Sequence, residues 1–187
     1  GIYTVDLSGA GSLYLNHYVP LEYSSIQSAI NSSFSNDTII VGEGAYTESI
    51  EFPDHNLVIR GNGPGSTILS SDTTAVRFPT TGAPSTSILE NISVHVAANQ
   101  RGFIASDDYQ PNFDRVAFVL DSNSIAGHLS SSAAASMAHV TVVRNSLDAN
   151  GNSFQLNNSN LTLTNSILWT GANTEIASSN GGSVSVT

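Results

Sequence analysis

Apolar residues in this chain come in short runs, and most runs alternate with polar positions. One stretch departs from that pattern. Tyr23, Ile26, Ala29, Ile30 and Phe34 recur at spacings of three and four, with Ser24 or Ser25 placed to cap the start. That spacing predicts one amphipathic helix, within residues 22–35. Elsewhere the clusters are rich in Val, Ile, Thr and Phe and are split by Gly, Asn, Asp and Ser, as in Thr38–Val41, Leu57–Arg60 and Ser66–Leu69. These predict strands.

The second half of the chain repeats. Leu89–Val94, Phe113–Phe118 and Met137–Val142 each carry apolar residues at their first, fourth and sixth places, and their starts are evenly spaced. A fourth start falls at Leu161 if the spacing is kept, or at Leu163 if that coil is slightly longer, and a last strand covers Ser183–Val186. Short strands at such a period, with no helices between them, predict a parallel β-solenoid of about seven coils over residues 36–187. No coil buries its apolar row alone, so neighbours must stack at about 4.8 Å. The amphipathic helix then gains a purpose, which is to cover the core and the strand edges at one end. The reading is all-β, with residues 1–187 as one β-helix domain. No cap is evident at the other end, so the chain is expected to be a fragment of a longer secreted protein.

Composition narrows the functional range. Charged residues make up only 11%, the net charge is −10, and all five cations are arginines. Five scattered arginines do not make a nucleic-acid surface. No apolar run is long enough to span a membrane, and without cysteine there is no thiol nucleophile or cysteine-ligated zinc. Ser, Thr and Asn form about a third of the chain. Such residues suit stacked coils, where hydroxyls and amides can ladder while like charges in register repel.

Three segments, Tyr23–Ile30, Asn36–Ile50 and Leu57–Ile68, together resemble the opening coils of right-handed parallel β-helix proteins of the pectin-lyase-like superfamily. Leu163–Trp169, followed by Glu175-Ile176 and Gly182–Val184, resembles a repeat of bacterial surface β-helix proteins. The resemblance implies a fold, an extracellular or cell-surface location, and polysaccharide or surface glycan as partner. It does not imply chemistry. The Gln-Asp-Thr and Arg-x-Trp of pectin methylesterases are missing. Of the polygalacturonase motifs, only Asp107-Asp108 and an incomplete Gly127-His128-Leu129 occur.

The candidate residues follow from these readings. If the chain is an enzyme, a lyase or hydrolase on acidic polysaccharide, then Asp107, Asp108, Arg101, Arg115 and His128 are its catalytic candidates. Carboxylates would serve as acid and base or hold Ca²⁺, and an arginine would neutralise a uronate. The simpler reading of Asp107-Asp108 is a turn before Pro111. The repeat register puts Asn91, Arg115 and His139 in one column and Glu90, Asp114 and Ala138 in the next. Glu90 and Asp114 therefore become ligand-binding candidates, or a carboxylate stack that Arg115 neutralises. Tyr109 and Trp169 are candidate stacking platforms for sugar rings. No metal site or cofactor is expected outside the enzyme reading. The expected function is a non-catalytic surface module that contacts glycans, with a carbohydrate-active enzyme and a purely structural stalk as rivals.

Overall fold

The computed structural model describes residues 14–80, 86–145, 152–171 and 174–187. The chain winds into a parallel β-solenoid of about seven turns. In order its elements are β1 (Asn16–Val19), α1 (Ile26–Ile30), β2 (Thr38–Val41), β3 (Gly44–Thr47), β4 (Ile50–Glu51), β5 (Val58–Arg60), β6 (Thr67–Ser71) and β7 (Val76–Arg77). There follow β8 (Ile88–Val96), β9 (Arg101–Ala105), β10 (Asn112–Leu120), β11 (Ile125–Ser130), β12 (Ala134–Ala138) and β13 (Thr141–Arg144). The last are β14 (Phe154–Asn157), β15 (Asn160–Thr164), β16 (Ile167–Trp169), β17 (Ile176–Ser179) and β18 (Ser183–Val186).

The strand pairs among the described residues are parallel and join successive coils. One sheet runs β1-β2-β5-β8-β10-β12-β15-β18, with a bent arm of β3, β6, β13 and β16 attached through β8 and β10. A second sheet runs β4-β7-β9-β11-β14-β17. The predicted register holds: Leu89 pairs with Phe113, and Phe113 with Met137. Met137 then pairs with Leu163 rather than Leu161, so the longer alternative is the right one for that coil.

The sheets bend where a residue enters the left-handed region. Asn91, Arg115, His139 and Asn165 stand there with φ of 55°, 51°, 54° and 47°. Asn tolerates this conformation best, and an arginine or histidine there needs compensation from its contacts. A column of aromatic rings runs through a mainly aliphatic core. Phe103 packs on Phe78, Phe113, Phe118 and Phe154, with centroids 4.6–6.4 Å apart.

Two expectations are corrected at the N-terminal end. The helix occupies only Ile26–Ile30, not most of 22–35, because Ser25 caps it and the chain turns away at Asn31. Phe34 therefore lies outside the helix and is 72% exposed. The coils also begin before residue 36, since β1 pairs with β2 ahead of the helix. The helix does bury Ile26, Ala29 and Ile30 against the solenoid. Its Gln27 side chain accepts from the Glu51 N–H at 2.7 Å and donates to the Glu51 carbonyl at 3.3 Å. The amide thus takes the place of a strand beside β4, the edge of the second sheet.

Candidate functional site

The solenoid's register brings two groups of predicted residues together. The first is at the bend between the halves of β8 and β10. Arg115 Nη1 lies 2.6 Å from Asp114 Oδ2 and Nη2 lies 3.6 Å from Glu90 Oε2, while Nε donates to Asn91 Oδ1 at 2.8 Å. His139 Nδ1 is 3.0 Å from the other Asp114 oxygen, and Arg60 pairs with Glu90. The five groups form a ribbon in which nitrogen bases alternate with carboxylates. Each carboxylate has two nitrogen partners, which offsets the repulsion of stacked acids and holds Arg115 in its left-handed conformation. Arg60 and Arg115 are half exposed, so each pair is worth at most about 1 kcal/mol.

The second group lies on the outer face of the second sheet. Phe103 pairs with Gly127 and Ile104 with His128. Phe103 points inward, and a Cβ on Gly127 would stand 2.1 Å from its ring. The glycine before His128 thus makes room for the aromatic core. His128 points outward into a groove with a cavity of about 260 Å³, lined also by Phe78, Ile104, Ser106, Ser130 and Arg101. A second depression of about 280 Å³ continues past His128 to Gln155 and Asn157. Neither lining includes a carboxylate. Among the described residues, no acidic group ion-pairs with Arg101 or with Arg77 one coil away. Burial and then the nearby charge of Arg101 hold the His128 imidazole below the usual histidine value, so it is neutral at pH 7.

The other predicted residues lie apart from this groove. Asp107 and Asp108 form an exposed turn with φ of 54° and 64°. Ser106 Oγ donates to Asp107 Oδ2, and the Asp108 N–H donates to the Ser131 carbonyl. Neither aspartate lines the groove or pairs with an arginine among the described residues. Tyr109 is 3% exposed, packs on Phe78 and donates to Ser87 Oγ at 2.8 Å, so its ring faces the core and offers no surface to a ligand. Trp169 is 77% exposed at the end of the bent arm. No group of three or more His, Cys, Asp or Glu among the described residues is arranged to hold a metal ion. Sequence reasoning proposed His128 from an incomplete motif and Arg101 as a cation for an acidic sugar. It missed the groove they share, although Ile104 and His128 stand one full repeat apart.

No family model matches the chain, and neither does any curated protein. Among solved structures, a pectin methylesterase variant in complex with a hexasaccharide aligns with a TM-score of 0.57 at 12% identity. The alignment covers 87% of this chain and 68% of that one. The chain therefore has the parallel β-helix fold of pectin-lyase-like proteins.

Proposed function

We propose that the chain is a non-catalytic extracellular module, part of a longer secreted protein, that contacts acidic polysaccharide through the outer face of its second sheet. The observation that carries this reading is the groove at Arg101 and His128, with an arginine unpaired by any described acid and no carboxylate in its lining. In a chain of net charge −10, such a pocket selects for an anion that brings its own carboxylate or sulfate. Acid–base turnover needs two groups converging on one bond. Here the aspartate pair stands in a turn outside the groove, and Asp114 and Glu90 are engaged by arginines. A solved structure that shares the fold is a pectin methylesterase variant in complex with a hexasaccharide, which fits a polysaccharide partner.

Calorimetry with hexagalacturonate tests the proposal. Arg101→Gln is expected to weaken binding about tenfold, roughly the loss of one charge-assisted contact. Because the His128 value is lowered, binding is expected to strengthen only as the pH falls below the ordinary histidine value of 6.5, where a second cation forms, and this rise should vanish in His128→Gln. No binding, or equal binding by Arg101→Gln, overturns the site. Release of methanol or of unsaturated products that stops in Asp108→Ala overturns the non-catalytic reading.

A further inference from the structure

A second surface, on the bent arm, has the opposite chemistry. Its outward positions stack in register: Thr47 on Ser70, Ser70 on His95, His95 on Val119, Val119 on Val143, and Val143 on Trp169. The residues between them, such as Leu69, Val94, Phe118 and Val142, are fully buried, so this column faces solvent. It contains no Asp, Glu or Arg, and neither does the parallel column from Ala45 to Ile167. Both columns end in large exposed side chains, Ile167 at 57% and Trp169 at 77%.

A cavity of about 210 Å³ opens at the other end of the column. Val96, Ala97 and Val119 give it apolar walls, and its polar groups include Ser70, Asp72, His95 and Asp121. Asp121 Oδ1 accepts from the Ser122 N–H at 2.8 Å, which leaves Oδ2 available. Among the described residues no side chain bonds the Asp72 carboxylate or the His95 imidazole. The lining includes no arginine, whereas the groove on the second sheet includes no carboxylate.

We propose that this face is a second glycan-binding surface, specific for neutral sugar chains. Carboxylates accept strong hydrogen bonds from hydroxyl pairs and repel a uronate. Apolar walls and an indole face receive the C–H faces of pyranose rings. A chain laid along the column would cross successive coils at the strand spacing of about 4.8 Å, from the cavity past Val119 and Val143 to Trp169. The module then grips two kinds of polysaccharide on two faces. This surface shares no residue with the groove at Arg101 and His128, so either can fail without the other.

Trp169 is the chain's single tryptophan, so its emission reports this face alone. The probes are the β-1,4-linked hexasaccharides of glucose, mannose and xylose, titrated at neutral pH. At least one is expected to quench or shift the emission. Its calorimetric affinity is then expected to fall about tenfold in Asp121→Asn and in Trp169→Ala, while hexagalacturonate binding stays unchanged. Asp121→Asn keeps the main-chain carbonyl that receives Arg144, and Trp169 lies on the surface, so both variants should melt like the parent. The proposal falls if none of the three probes changes the emission, or if binding survives in both variants.

Discussion

At the scale of single residues, many buried polar groups of this solenoid are hydroxyls that bond a nearby carbonyl, but Asp37 takes a carboxyl deep into the interior. Asp37 is 1% exposed and accepts from Leu15 N–H and Phe34 N–H, each at 2.8 Å, and from His17 Nε2 at 2.9 Å. Tyr23 Oη completes the cluster, 3.1 Å from His17 Nδ1. Burial alone would raise the Asp37 carboxyl. The His17 bond and the two amides outweigh it and hold the group below its ordinary 3.8. A lowered carboxyl contributes stability that is complete above the ordinary value and is lost as pH falls through the folded one. Asp37→Asn is therefore expected to cost about 2 kcal/mol at pH 7 and progressively less toward pH 3, read by urea melts at each pH. An undiminished gap at pH 3 would contradict this account. The cluster was not legible in the sequence. His17 has no ligand-like spacing, and its partner Asp37 lies in the next coil, across a helix whose length was overestimated. The column of Asn91, Arg115 and His139 was legible, because a strict repeat converts directly into a list of neighbours.

At the scale of elements, the strands were readable and the ends were not. Alternation reports a half-buried strand wherever it occurs. The position of a coil boundary depends instead on one backbone torsion at Asn91 or Asn165, which no periodicity records. The short helix is a similar case. A helix of one and a half turns cannot persist alone, and this one is held by contacts that follow it in the sequence. Glu48 accepts from the Ile26 and Gln27 N–H groups at 2.9 and 3.0 Å, and Gln27 bonds the edge of β4. The helical signal therefore described a preference, and tertiary bonds chose its limits. Gln27→Ala removes the acceptor of the Glu51 N–H. Hydrogen exchange at Glu51 is expected to accelerate about tenfold, for a loss of about 1.4 kcal/mol in local opening. The amides of β8 and β10, several coils away, should keep their protection. An unchanged Glu51 rate would mean that the side chain does not cap the sheet.

At the scale of the whole molecule, a solenoid is held together only by neighbours, so its cooperativity depends on whatever crosses several coils. Backbone ladders link each coil to the next. Of the side chains, the aromatic column reaches furthest, from Phe52 through Phe78 and Phe103 to Phe154, and Phe78 and Phe103 each touch four other rings. The two proposed glycan surfaces lie on different sheets of the same coils. Their geometry depends on those coils staying stacked, while their chemistry comes from outward residues that the core does not constrain. This separation explains why the fold could be read from the sequence and the groove could not: inward positions must be apolar, whereas outward ones are free to vary. Phe103→Ala tests the coupling. The lost ring should cost about 3–5 kcal/mol, and no distant contact can absorb it. Unfolding in urea is expected to lose its single transition, with the coils around β7, β9 and β11 opening before those at β1 and β2. Probes placed in the two regions would then report separate midpoints. Coincident midpoints with a reduced overall stability would show that the backbone ladders alone make the solenoid cooperative.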